Sequence, residues 1–227
     1  MAMHSDYGRE ARDGADILMA EVNALAVRNT PTLRTLRRAR SAAWRGQPPE
    51  FILGVATEMQ RRRAHRWLGY ELIRRHHAAF DLLNDRSLGE LSVDLDSWDV
   101  VDAFARVLSG PAWARGLASD ALIDSWAGSA DRWLRRTALV STVALNTPAD
   151  GGRGDPDRTL AVCRRMAGDR DDMVEKALSW ALRVLAVRDG AAVRQFLAAE
   201  EPRLAARVKR EVRHKLETGL KNPRRAG

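Results

Sequence analysis

The chain has 227 residues, with 38 Lys+Arg against 30 Asp+Glu and a net charge of +8, giving a pI of about 10.6. That length buries about 70% of the unfolded surface in one domain or extended array, so no covalent staple is required. A single cysteine, Cys163, excludes an intramolecular disulfide and a cysteine zinc cluster. The polar stretch Met1 to Glu10 has no apolar core, so no secretory signal is expected. No run of 18 apolar residues occurs, so no membrane partner is expected.

A basic balance of this size favours a polyanionic partner. The cations are mostly arginine, whose planar fork suits phosphate. A coding bias toward Arg and Ala is the competing explanation. A cytoplasmic, reducing compartment fits the single cysteine.

Apolar residues recur at helical spacing almost throughout, and strand-like alternation is nearly absent. The pattern predicts helices over 11–27, 31–44, 49–62, 64–80, 97–109, 118–127, 130–146, 156–168, 171–187, 190–200 and 202–219. Thr30-Pro31 reads as a cap followed by proline in the first turn. Ser129 reads as the cap of the helix holding Trp133. Pro156 and Pro202 read as helix openers, and Gly110-Pro111 as a stop. Short helices joined by brief turns predict an all-α fold, an α-solenoid of stacked antiparallel pairs. A compact irregular helical domain is the alternative. Residues 1–220 are expected to form one helical-repeat domain, with 1–10 flexible. The loop from Asn146 to Asp155 is rich in Gly, Pro and Asp, and is expected to be exposed and mobile. Residues 221–227 form a basic tail, expected to be disordered.

Three helical segments carry the candidate chemistry. In Ser97-Trp98-Asp99-Val100-Val101-Asp102, Trp98 and Asp102 stand at i and i+4 and share a face. They flank an apolar stripe of Val101, Phe104 and Leu108 that should face the core. Asp99 is rotated about 100° from Trp98, so Asp102 is the better candidate. The alternative is that Trp98 fills core and Asp102 pairs with an arginine. In Arg132-Trp133-Leu134-Arg135-Arg136, the apolar positions take the core and leave Arg132, Arg135 and Arg136 for a phosphate-binding rim. A solvated basic face is equally compatible. In the third segment Trp180 lies between Lys176 and Arg183 and can snorkel at a groove wall or pack inside. A further basic run, Arg61-Arg62-Arg63, His65, Arg66, Arg74 and Arg75, is interleaved with Trp67 and Tyr70 and suits backbone contacts. His76-His77 point to different faces and make a poor metal pair. No phosphate loop, dinucleotide fingerprint or nucleophile elbow is present.

These three segments, in this order, resemble the bacterial DNA alkylation repair proteins, the AlkD-like DNA glycosylases built from HEAT-like helical repeats. The resemblance is best from about Ser97 to Leu216. It implies excision of cationic N-alkylpurines, such as 3-methyladenine and 7-methylguanine, from double-stranded DNA. It also implies action as a monomer, without a metal or cofactor and without flipping the base into a pocket. By the resemblance, Asp102 is the catalytic carboxylate, and Trp98 and Trp180 frame the sugar of the damaged nucleotide. Arg136 grips the nearby backbone, with Arg135, Lys176 and Arg183 as further DNA contacts. The N-terminal region departs from the family pattern. Leu36 to Gly54 is Arg-rich with Trp44 and Pro48-Pro49, and only Phe51-Ile52-Leu53-Gly54-Val55 echoes it. The Gly151-Gly152 loop is also longer than the family needs. Relatives that bind DNA without excising bases leave a second possibility, a non-catalytic binder of distorted or branched DNA. A protein–protein adaptor is the third.

Overall fold

The computed structural model describes residues 3–220, and side chains from Gly8 onward. The expected basic tail, 221–227, lies outside the described residues. Among the described residues the fold is all helix with no strand. Within each unit most helices pack on near neighbours in the chain, as α1 on α3, α3 on α4, α10 on α12 and α12 on α14, the serial arrangement of an α-solenoid. The chain forms two compact units, 1–93 and 94–227.

The first unit holds α1 (Met3–Ala24), α2 (Thr30–Ala43), α3 (Pro49–Arg61), α4 (Arg66–Arg75), α5 (His77–Asp81) and α6 (Asp85–Leu91). Its core gathers Leu18, Val22, Phe51, Ile52, Val55, Leu68, Ile73 and Phe80. The echo segment Phe51–Val55 thus serves packing: Phe51 meets Trp44 edge to face at 5.3 Å. Three sequence expectations change here. The cap of α2 is Asn29, not Thr30, because its side chain accepts from Thr32 N and forms a reciprocal box with Thr32. The predicted 64–80 helix breaks at His76, whose extended backbone lets its ring cap α5. The short α6, opened by Asn84, was not expected. In the basic run, Tyr70 and Arg66 are buried, Arg61 pairs with Glu58 and Arg62 with Asp16.

The second unit begins with α7 (Trp98–Phe104), a π-helical turn (Ala105–Ser109) and α8 (Gly110–Ala114). There follow α9 (Asp120–Ala127), α10 (Arg132–Asn146), α11 (Pro156–Arg165), α12 (Asp172–Leu185), α13 (Gly190–Ala199) and α14 (Ala206–Thr218). The central α10 is buried from Arg136 to Asn146 and packs on α7, α8, α9, α11 and α12. Beyond it α12 packs on α14. Val101, Phe104 and Leu108 face the core as expected.

Gly110-Pro111 does not stop its helix. Proline has no N–H and its ring collides with the carbonyl four residues back. The preceding turn widens into π geometry, with Gly110 N donating to Ala105 O, and the helix continues in αR conformation. Gly110 sits where a Cβ would fall 2.5 Å from Ala144 Cβ and 2.6 Å from Ser141 O, so α8 and α10 nearly touch. A hydrogen bond of 2.7 Å joins Ser109 and Ser141 beside that contact.

Other boundaries shift for local reasons. The cap of α10 is Asp131, which accepts from Trp133 N, while Ser129 accepts from Asp131 N one step earlier. Pro156 opens α11 as expected, behind the cap Asp155. Pro202 lies in a turn, and the last helix starts four residues later at Ala206. The 146–155 loop is pinned rather than freely exposed. Gly152 N donates to Thr147 O, Gly154 N to Leu145 O, and Asp155 N to the buried Asn146 side chain. A Cβ at Gly152 would fall 2.1 Å from Ala144 O, so only glycine fits.

Candidate active site: an arginine-clamped carboxylate between two indoles

A cleft of about 1060 Å³ opens within the second unit. Its walls bring together Trp98 and Asp102 from α7, Arg136 from α10, Met173, Lys176, Trp180 and Arg183 from α12, and Glu211 and Lys215 from α14. Five of the sequence-nominated residues besides Asp102 and Arg136 were candidates for this wall; Trp98, Trp180, Lys176 and Arg183 reach it, and Arg135 does not. Asp99 is exposed and does not line the cleft, as helical phase predicts.

Asp102 is the centre of the arrangement. Arg136 Nε donates to Asp102 Oδ1 and Arg136 Nη2 to Asp102 Oδ2, each at 2.9 Å, while Nη1 donates to Met173 O at 2.6 Å. This two-pronged geometry fixes the carboxylate plane. The pair is largely buried: 6% of the Arg136 side chain and 17% of the Asp102 side chain are exposed. Burial pushes the Asp102 carboxyl above its usual range, against the opposing pull of Arg136 and Arg106. Each Asp102 oxygen keeps a further lone pair for a group entering the cleft.

The indoles differ in setting. Trp98 is 57% exposed, an unusual placement for a side chain of this size. It does not fill core. Trp180 is half-buried, with the Arg106 guanidinium 5.9 Å from its ring centroid. The alternative reading of the first segment is therefore half met: Asp102 does pair with an arginine, and Trp98 does not fill core.

The cations divide by partner. Arg135 turns away to Asp169 Oδ2 at 2.6 Å and to the carbonyls of Ser129 and Ala130. Arg136 lies on the buried wall of the cleft, not on its rim. Arg183 is buried, donates to Ser179 O and lies 3.7 Å from Glu211, and desolvation lowers its pKa. Lys176 is 48% exposed and 2.6 Å from Asp172. Arg132 is exposed over the Trp133 ring at 4.8 Å.

Sequence reasoning missed Arg106, Arg188, Glu211 and Lys215. Arg106 carried a visible signal, since it stands at i+4 from Asp102 on the same face. Glu211 and Lys215 are likewise one turn apart on α14. Only the stacking of α14 on α12 reveals that they face the cleft. No group of three or more His, Cys, Asp and Glu able to hold a metal occurs among the described residues. Cys163 is buried, and burial pushes its thiol up, so it is not a nucleophile.

An all-helical stack that presents an arginine-clamped carboxylate in one cleft with two indoles defines a helical protein with a candidate carboxylate site. The model of the DNA alkylation repair enzyme family matches residues 15–216, and the chain belongs to that family, with a role in the repair of alkylated DNA. No curated protein matches the chain significantly. No described helix is long and apolar enough to cross a membrane.

Proposed function

We propose that this protein is a DNA glycosylase that hydrolyses the N-glycosidic bond of cationic N-alkylated purines, among them 3-methyladenine and 7-methylguanine. The observation that carries the reading is the Asp102 carboxylate, held flat by Arg136 and set in a cleft with Trp98 and Trp180.

Alkylation at N3 or N7 leaves a positive charge on the purine, so the base departs without protonation. The C1′–N9 electron pair moves onto the base, neutralising it, and positive charge builds on the deoxyribose. Asp102 stabilises that charge, and electron-rich indole faces add attraction for a cation. Water then forms the new C1′–O bond and its proton passes to Asp102 or to solvent. The products are neutral base, abasic DNA and one proton. A single carboxylate suffices where sugar hydrolases, which must protonate their leaving group, need two. The salt bridge that clamps Asp102 favours its ionised form against the opposing effect of burial.

Incubation with methylated genomic DNA and chromatography of the released bases tests the reading. Wild-type protein is expected to release alkylpurines. Asp102→Asn is expected to lose roughly 100-fold or more in rate, on the order of 3 kcal/mol, with DNA binding retained. Unchanged release in that variant overturns the role of Asp102. Salt-sensitive binding with no release by the wild type supports instead the non-catalytic binder of distorted or branched DNA.

A further inference from the structure

Arg106 and Asp150 take no part in the chemistry just described, yet Arg106 lies beside Trp180, its charge acts on Asp102, and Asp150 holds it. Arg106 lies in the π turn, one turn beyond Asp102. Its Nη2 and Nε both donate to Asp150 Oδ2, at 2.7 and 3.1 Å. Its guanidinium carbon stands 5.9 Å from the Trp180 ring centroid. Asp150 comes from the 3₁₀ turn Pro148–Asp150 in the loop whose Gly and Asp content stood out in the sequence. That loop is held in one place. Thr147 and Pro148 line the cleft, Arg188 Nε donates to Asn146 O at 3.1 Å, and Gly152 is locked against the carbonyls of Ala144 and Leu145.

We propose that Arg106, clamped by Asp150, is a positioning residue of the excision site: it backs the Trp180 indole and biases the charge of Asp102, while Asp150 governs how much of its positive charge the site feels. The chemistry at stake rests on the glycosylase reading; the geometry does not. A cation beside an indole competes with a cationic substrate for the same π density. Offsetting that cation with the Asp150 carboxylate leaves Trp180 supported and still attractive to a charged base. Toward Asp102 the same cation favours the ionised form.

Several other charged groups act on Asp102 or line its cleft. Arg136 comes from α10, Asp99 from α7, Lys176 and Arg183 from α12, and Glu211 and Lys215 from α14, with Arg188 just beyond α12. The pair Arg106–Asp150 is distinct because its two members predict opposite outcomes. Removing Arg106 strips a positive charge from beside Asp102. Removing the Asp150 charge exposes that positive charge more fully.

The test is a carbon-13 NMR titration of the Asp102 carboxyl, assigned through Asp102→Asn, in the full-length protein. Arg106→Gln is expected to raise the titration midpoint by about 0.5 pH unit, and Asp150→Asn to lower it by a similar amount. Arg106→Lys, which keeps the charge, is expected to stay near wild type. The Trp180 indole N–H signal is expected to move in the Gln and Asn variants. It should hold in Arg86→Gln, whose arginine pairs with Glu90 on the surface of the first unit. In excision assays the acid limb of kcat should follow the same directions, with KM within about twofold. Midpoints that do not move, or that move the same way in both variants, overturn the proposal and leave Arg106 a strut for the loop. Opposite shifts in a protein that releases no base sustain the positioning role and overturn the glycosylase reading alone.

Discussion

At the scale of single residues the proposed mechanism turns on one largely buried carboxylate, Asp102, that must be charged to work. Burial raises the Asp102 pKa, and Arg136 and Arg106 oppose it without cancelling it. The consequence for activity has a definite sign. On the proposed mechanism excision needs the ionised form, so the rate is expected to rise with pH through a midpoint above the ordinary aspartate range. The consequence for stability has the opposite sense. A carboxyl whose folded pKa is raised stabilises the fold most below its unfolded pKa, and that contribution is lost as pH rises through the folded value. We expect kcat for 7-methylguanine release to show an acid limb displaced upward from the ordinary aspartate range, and Asp102→Asn to lack it. A limb centred near 3.8 would argue that the carboxylate is solvated in the working state. Arg136 is as exacting as its partner. It makes three hydrogen bonds from one guanidinium, and neither a lysine nor a shorter donor reproduces the fork.

At the scale of elements the site depends on how closely two helices approach. The π turn and α8 pass over α10 with no side chain between Gly110 and the Ser141–Ala144 backbone. Gly110→Ala would push a methyl group into Ala144 Cβ and Ser141 O, and neither neighbour is a flexible side-chain end. We expect a loss of about 1–3 kcal/mol in urea unfolding, with reduced excision because α10 also carries Arg136. An unchanged unfolding midpoint would mean that the helices separate freely. Much of this element scale was legible in the sequence. The apolar stripe of Val101, Phe104 and Leu108 and the i, i+4 phase of Trp98 and Asp102 follow from local periodicity alone. What was not legible depends on partners far along the chain. Gly110-Pro111 reads as a stop because local rules do not include a π turn held by contact with α10. Arg135 and Arg136 are adjacent and chemically identical, yet Asp169 takes one and Asp102 the other. The Asn146–Asp155 loop reads as mobile by composition, whereas Asn146 ties it to Thr159, Gly154 to Leu145 and Asp150 to Arg106.

At the scale of the whole molecule, a net charge of +8 predicts DNA binding that weakens as salt rises, because each phosphate neutralised releases counterions. The charge total does not say which cations take part, but their partners do. Arg135 is engaged by Asp169 and two carbonyls, and moving it to a phosphate would strand the partly buried Asp169 carboxylate. Arg183 is buried and engaged with Ser179 O. Lys176 differs, because its partner Asp172 is exposed and is also held by Arg207. Lys176 can turn to a phosphate while Arg207 keeps Asp172 paired. The slope of log Kobs against log salt for duplex DNA is therefore expected to flatten by about 0.9 in Lys176→Ala. In Arg135→Gln the slope is expected to hold while unfolding stability falls. The reverse pattern, with Arg135 changing the slope and Lys176 silent, would require the Arg135–Asp169 pair to open on binding, and would move the DNA path from the cleft mouth toward the start of α10.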